Sequence, residues 1–324
     1  MNLELTPDQQ ELQAAVHRIA EPYASAPSSD TSYYLDGTPL YEQLQDAGFL
    51  EAAGMPEYGP LAGALILEIT SALPYSIGVA GTALVLPMIT GESFEGPVAL
   101  MRAGRESAVR HLPHARTLLV VGDEDVSVYN VADIETRQLK SIFADPFGSV
   151  APESLQGGRK LGNVSPADVI KWWNVAVAAE IAGASDAALK RTVEFVKIRR
   201  QFGRAIGSYQ AIQHRLAECE VLVNATRMLA RRAAVTGDAA AAFLAASYAQ
   251  AAAGRVAYET QQFHGASGLT REIELHFFTY RLRSLQGELT ALGGSPLRAA
   301  ELLWPGATDA KSDSRVAVEK HLVA

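Results

Sequence analysis

Two arginines, an aromatic residue and two glycine turns stand together in Arg199-Arg200-Gln201-Phe202-Gly203-Arg204-Ala205-Ile206-Gly207-Ser208-Tyr209-Gln210. Guanidinium groups at the end of one helix, followed by the free N–H groups at the start of the next, suit a phosphate or diphosphate. The same residues suit a plain helix–loop–helix with a solvated basic end, and residue types alone leave both possibilities open. A second stretch, Gln262-Phe263-His264-Gly265-Ala266-Ser267-Gly268-Leu269, ends a later helical run. Elsewhere the chemistry is thin. His111 and His114 bracket Leu112-Pro113, but no third ligand has matching spacing and no metal is expected. Glu272 and His276 are spaced to share a helix face as a solvated pair. Gly157-Gly158-Arg159-Lys160-Leu161-Gly162 lacks both dinucleotide and P-loop spacing and reads as a turn. No HExxH or GxSxG occurs.

The elements that position these residues change in texture along the chain. Thr6-Pro7-Asp8-Gln9 is a helix start, with Thr6 and Gln9 forming a capping box and Pro7 in the first turn. Leu12, Ala15, Val16 and Ile19 follow on one face. Further short helices are expected over Tyr41–Leu50 and Leu61–Leu73. Near Pro97 the pattern turns to short β-branched runs, 97–102, 116–121 and 126–131, with Gly122–Asp125 as a hairpin turn. Residues 145–163 read as loop. From Ser165 four long helices follow: to about Arg200, from a Ser208 cap to before Gly237, 238–264, and 271–292. Short connections between them argue for a bundle, and the excess of alanine for close helix approach. The expected division is a helical domain over 1–94, a small β domain over 95–163, a four-helix bundle over 164–305 and a loose tail over 306–324. The fold class is mainly α with a small β region.

The 324 residues carry 28 basic against 36 acidic side chains, a formal charge of −8. That balance argues against nucleic acid, which needs a basic field. The single cysteine, Cys219, excludes an internal disulfide; it reads as buried filler in a reducing, cytoplasmic setting. No basic n-region precedes an apolar run at the N-terminus. The uncharged stretch Ile69–Gly91 is divided by Pro74 and Pro87, so a buried helix pair is expected there and no membrane span.

The Arg199–Gln210 segment resembles the acyl-CoA dehydrogenase signature, in which an Arg-x-x-Phe-Gly turn precedes a helix opening with Gln. The Gln262–Leu269 stretch resembles the same family's Gln-x-x-Gly-Gly-x-Gly-aromatic sequence, with Ala266 where glycine is usual. The resemblance covers about 165–300 well and the N-terminal helices loosely. It implies a helical domain, a small β domain and a four-helix bundle, with FAD held between subunits. It makes Arg199, Gln201, Phe202, Gln210, Gln262 and Gly265 candidate contacts to the diphosphate and adenosine side of a flavin held by a neighbouring subunit. An electron-transferring flavoprotein is the acceptor the family implies.

Two features depart from the family pattern. The dehydrogenation needs a carboxylate base. Counting from Gly265 to the usual base position reaches Leu289, with Glu288 beside it. Counting back from Arg199 to the alternative position reaches Trp173. The Thr-Glu-Pro-Gly-x-Gly-Ser-Asp loop and the Trp-Ile-Thr strand that cradle the flavin ring are both absent from 95–163. This combination resembles the short, non-base subunit of actinobacterial heteromeric α2β2 steroid acyl-CoA dehydrogenases. Such a chain completes the FAD site of a longer partner that supplies the base. The alternatives are a self-sufficient homo-oligomeric enzyme using Glu288, and a flavin-free relative serving assembly or acyl-CoA binding.

Overall fold

The computed structural model describes residues 4–27, 32–104, 108–293 and 296–305. The tail expected after residue 305 lies outside them. Helix α1 (Pro7–Ala20) begins as its sequence dictates: Thr6 Oγ1 accepts from the Gln9 N–H and the Gln9 side chain accepts from the Thr6 N–H. Strand β1 (Leu35–Asp36) leads to α2 (Thr38–Asp46) and a 3-10 turn over Phe49–Gly54. The single helix expected over Tyr41–Leu50 is thus two elements, because Gly48 takes a left-handed φ of 76°. Helix α3 (Pro60–Ser71) is buried from Leu61 to Ser71. Strand β2 (Tyr75–Ser76), a π-turn over Gly81–Val85 and α4 (Leu86–Ile89) follow. The uncharged stretch is therefore packed in the interior. Among the described residues no helix is long and apolar enough to cross a membrane.

The β region is fuller than its sequence suggests. It contains β3 (Val98–Arg102), β4 (Val109–Arg110), β5 (Thr117–Val121), β6 (Val126–Asn130), β7 (Thr136–Leu139), β8 (Phe147–Val150) and β9 (Arg159–Lys160). One sheet has the order β3-β5-β6-β9, with β3 and β5 parallel; the other has the order β4-β8-β7. The β5–β6 hairpin closes at the expected turn, where the Gly122 N–H donates to Asp125 O at 2.8 Å. The expectation of loop over 145–163 is corrected. Phe147–Val150 is the central strand of the second sheet, and Arg159–Lys160 pairs with β6. Pro146, Gly148 and Gly157 hide these strands from a pattern reader, since proline and glycine usually punctuate strands.

The bundle consists of α5 (Pro166–Ile198), a short hairpin of β10 (Arg200–Gln201) and β11 (Arg204–Ala205), α6 (Gln210–Thr236), α7 (Ala239–His264) and α8 (Leu275–Ala291), with α9 (Pro296–Leu303) beyond it. Small residues let the helices approach closely. A Cβ on Gly183 of α5 would lie 2.0 Å from the Glu68 carbonyl oxygen of α3. Ala242, Ala245, Ala246, Ala249 and Ala253 of α7 are fully buried. Two sequence expectations about helix starts fail. Ser208 does not cap α6: its Oγ donates to Ala205 O at 2.7 Å, and Tyr209 takes the cap position with no side-chain bond. Helix α8 starts at Leu275, not 271, so Glu272 and His276 share no helix face. His276 is buried, with Nδ1 2.7 Å from Ile273 O and Nε2 3.0 Å from Ser32 O.

Candidate functional site

The arginine turn grows directly out of the end of α5. Arg199 caps the helix in an extended conformation, its N–H donating to Phe195 O at 2.9 Å. The chain then reverses in the β10–β11 hairpin, whose tip places Phe202 at φ 53° and Gly203 at φ 83°. A positive φ is strained for a bulky aromatic residue. Phe202 is also 89% exposed. An apolar ring held outward in a strained backbone conformation gains nothing from this chain's own core. Arg199, Gln201 and Gln210 are exposed too. Arg199 forms no side-chain hydrogen bond or ion pair among the described residues, whereas Arg200 donates to Gly203 O and Arg204 lies 4.0 Å over the Tyr209 ring. With no side-chain cap on α6, its first N–H groups add to this polar surface.

The second segment lies at the same end of the bundle. Helix α7 stops at His264, and Gly265 adopts φ 61°, ψ −138°, which its lack of Cβ permits. Gln262 and Gly265 are exposed, whereas Phe263 and His264 between them are buried. Phe263 packs with Val196 and Leu216, and the His264 ring stacks on Phe195 at 4.1 Å. The structure thus brings both sequence-identified segments together.

A different arrangement surrounds Glu288. A cavity of about 910 Å³ opens between β3–β4 and α5–α8, lined among others by Leu100, Phe143, Phe147, Trp173, Glu288 and Leu292. Glu288 Oε1 accepts from Trp173 Nε1 at 2.6 Å, and Oε2 accepts from Arg110 Nε at 2.7 Å. Trp173, at the alternative base position, therefore bonds to Glu288, the residue next to the usual one. Leu289 is turned into the core and fully buried; a one-residue step on a helix rotates a side chain by about 100°. Arg110 also forks onto Glu180 at 3.0 and 2.6 Å and donates to His111 Nε2 at 3.0 Å. Burial alone would lower the Arg110 pKa, but Glu180, Glu288 and Asp145 outweigh it and hold the guanidinium well above its ordinary value. Burial, with Arg110 and Arg281 adding to it, pushes His111 well below its ordinary value. His111 is therefore a neutral acceptor toward Arg110.

The network continues to Asp145. Its Oδ1 accepts from Ser76 Oγ at 2.7 Å and lies 3.5 Å from Arg281 Nε, while its Oδ2 has no hydrogen-bond partner among the described residues. Arg281 donates to the carbonyls of Ser71, Leu73 and Tyr75, completing the C-terminal end of α3. His114 Nδ1 lies 3.4 Å from Asp36 Oδ1, whereas His111 Nε2 faces Arg110. No group of three metal-ligating side chains occurs among the described residues. Sequence reasoning missed Arg110, Asp145, Glu180 and Arg281. One signal was available: Glu180 lies inside the otherwise apolar run 175–184, and a charge so placed requires a partner.

The family pattern for the acyl-CoA dehydrogenase C-terminal domain matches residues 169–287, which include all six candidate cofactor contacts. The acyl-CoA dehydrogenase IpdE2 of Mycolicibacterium smegmatis is 30% identical over 212 residues, covering 61% of this chain and 68% of that one. The chain belongs to the acyl-CoA dehydrogenase family. The IpdE2 acyl-CoA dehydrogenase of Mycobacterium tuberculosis is 42% identical over a shorter stretch of 110 residues, which spans 33% of this chain and 34% of that relative. In fold, the chain is similar to one from the ChsE4-ChsE5 complex of Mycobacterium tuberculosis, with a TM-score of 0.73 at 20% identity over 95% of this chain and all of that one. The acyl-CoA dehydrogenase fold accounts for the order of helical domain, β region and bundle seen here.

Proposed function

We propose that this chain is the non-base subunit of a heteromeric, FAD-dependent acyl-CoA dehydrogenase. It completes the flavin site of a longer partner, which supplies the carboxylate for α,β-dehydrogenation of an acyl-CoA thioester. The observation that carries this proposal is the pairing of Glu288 with both Trp173 and Arg110. Each carboxylate oxygen already accepts a short hydrogen bond, and the indole fills the alternative base position. The bundle end supports the second half of the proposal. An exposed guanidinium at Arg199 with no partner among the described residues, an outward Phe202 and exposed Gln201, Gln210, Gln262 and Gly265 suit the diphosphate and adenosine of a flavin seated on another chain. The similarity in fold to a chain of the two-component ChsE4-ChsE5 complex favours a partner, and that to a chain of the Tcur3481-Tcur3483 steroid acyl-CoA dehydrogenase, with a TM-score of 0.72 at 22% identity over 93% of this chain and 99% of that one, favours a steroid-derived acyl group.

FAD, when bound, accepts the substrate's β-hydrogen as hydride. This chain's residues would bind and orient it. Arg199 would offset diphosphate charge, Phe202 would cover an apolar ring face from solvent, and the three glutamines would donate amide hydrogen bonds. Gly265 lets the α7 terminus come close. An electron-transferring flavoprotein would then accept the electrons.

The test is the flavin-to-chain ratio, from visible absorbance and native mass. The folded chain alone should retain no flavin, and a co-purified complex with a base-carrying partner should retain one per pair of unlike chains. One flavin per chain in the pure protein overturns the proposal. A second reading, a self-sufficient enzyme using Glu288, is favoured by the placement of Glu288 on the 910 Å³ cavity. It requires turnover by the pure chain that Glu288→Gln abolishes. A flavin-free relative is the outcome if no complex containing this chain retains flavin that Arg199→Ala releases.

A further inference from the structure

We infer that His264 is a positioning residue: its ring, wedged against Phe195, locks the arginine turn and the Gln262–Gly265 stretch into one rigid presenting surface. The inference rests on the proposed flavin role of that surface, but the coupling it describes is a property of this chain alone.

The two segments have no covalent reason to keep a fixed separation. Arg199 follows α5 and Gly265 follows α7, and each sits where a helix frays. Beyond the packing of α5 on α7, an aromatic pair joins their ends. The Phe195 and His264 ring centroids lie 4.1 Å apart at an interplanar angle of 25°. Phe195 is one helical turn before Arg199, and its carbonyl accepts the Arg199 N–H. His264 immediately precedes Gly265 and is 8% exposed. Three contacts fix the His264 ring and backbone. Its Nδ1 lies 2.8 Å from Thr260 O, so this nitrogen carries the proton and donates. Its carbonyl accepts from Ser267 Oγ at 2.8 Å. Gly268 packs so closely that a Cβ there would come within 2.9 Å of His264 Cβ. On the neighbouring position Phe263 fills the apolar cluster of Val196, Leu216 and Val256, with Arg215 4.9 Å over its ring.

Burial pushes His264 below its ordinary value, while its bond to Thr260 acts the other way. The ring is therefore a neutral plate, and its service is shape, not charge. A phenylalanine can supply the same plate; the Thr260 carbonyl keeps its own helical bond in that variant.

The experiment is hydrogen–deuterium exchange over residues 199–207 of the purified chain, paired with flavin dissociation from the complex. An aromatic pair of this kind is worth about 0.5–1.5 kcal/mol, a factor of about two to ten in local opening. His264→Ala should accelerate exchange in 199–207 by that factor and speed flavin loss, with bundle exchange over 240–255 unchanged. His264→Phe should restore both. Arg199→Ala should speed flavin loss with exchange unaltered elsewhere in the turn. Unchanged exchange in His264→Ala, or a His264→Phe variant as loose as the alanine one, overturns the inference. Faster exchange in His264→Ala with flavin insensitive to both His264→Ala and Arg199→Ala supports the coupling and removes the flavin reading instead.

Discussion

At the residue scale, the centre of the molecule is one guanidinium. Arg110 satisfies two carboxylates and a histidine in an environment where its side chain is only 7% exposed. Removing one partner of a buried pair leaves an uncompensated charge, which costs about 3–5 kcal/mol. Arg110→Met should lower stability by that amount, read as a shift in urea midpoint with the slope held constant. A change under about 1 kcal/mol would show that the pair is not intact in solution. Trp173→Phe keeps most of the volume but deletes the indole N–H, and should cost about 1–3 kcal/mol for the unmet acceptor at Glu288. Two buried histidines, His111 in this cluster and His264 at the end of α7, set a pH dependence. His111 and His264 both have folded pKa values below the ordinary 6.5. The unfolded chain therefore takes up protons below about pH 6.5 that the folded chain refuses, and stability falls as pH drops through that value. Each histidine adds a slope of up to about 1.4 kcal/mol per pH unit. Burial raises the carboxyls of Glu68 and Glu180, which act with the opposite sign as they protonate. His111→Gln separates the effects: urea midpoints between about pH 7 and about pH 5.5 should fall less steeply in the variant than in the natural chain. Equal slopes would exclude His111 as a source.

At the element scale, α3, α5 and the hairpin after α5 carry the sharpest consequences. Gly183 is the point where α5 touches the α3 backbone, so Gly183→Ala forces the helices apart. Overpacking of this kind costs about 1–3 kcal/mol or more, and thermal unfolding should show it; an unchanged midpoint would mean that the helices are not in contact there. Phe202 sits at positive φ, largely exposed, and among the described residues its ring makes one aromatic contact, an edge approach to Tyr209 at 6.5 Å. Phe202→Gly should stabilise the isolated chain or leave it unchanged by relieving about 1 kcal/mol of strain, yet weaken flavin retention by the complex. Loss of stability on that substitution would show that the ring serves this fold and not a partner. These elements were legible in unequal degree. Capping residues and the 3.6-residue period are local, so α1, α5 and α7 were readable to within a few residues. The start of α8 was not, because Glu272 and His276 fit a helical spacing while the buried position of His276 ends the pattern differently. Strand β8 was missed because its pairing with β4 and β7 lies across sequence gaps.

At the scale of the whole molecule, buried charge joins the three regions. Arg281 of α8 binds carbonyls following α3, Ser76 of β2 and Arg281 meet Asp145 of the β region, and Arg110 of β4 reaches Glu180 and Glu288 of the bundle. Glu68 of α3 similarly receives two hydrogen bonds from Arg231 of α6 at 2.9 and 2.7 Å. The sequence by itself determined the fold class, the bundle and the two segments at its end, because helix periodicity, caps and turn glycines act over a few residues. It also located Glu288 and Trp173 as the residues nearest the two base positions. Only the tertiary structure decided what those residues do to each other. Arg110 lies 178 positions from Glu288 and 70 from Glu180, and no local pattern encodes which carboxylate a guanidinium will reach once burial has stripped away water and made pairing obligatory.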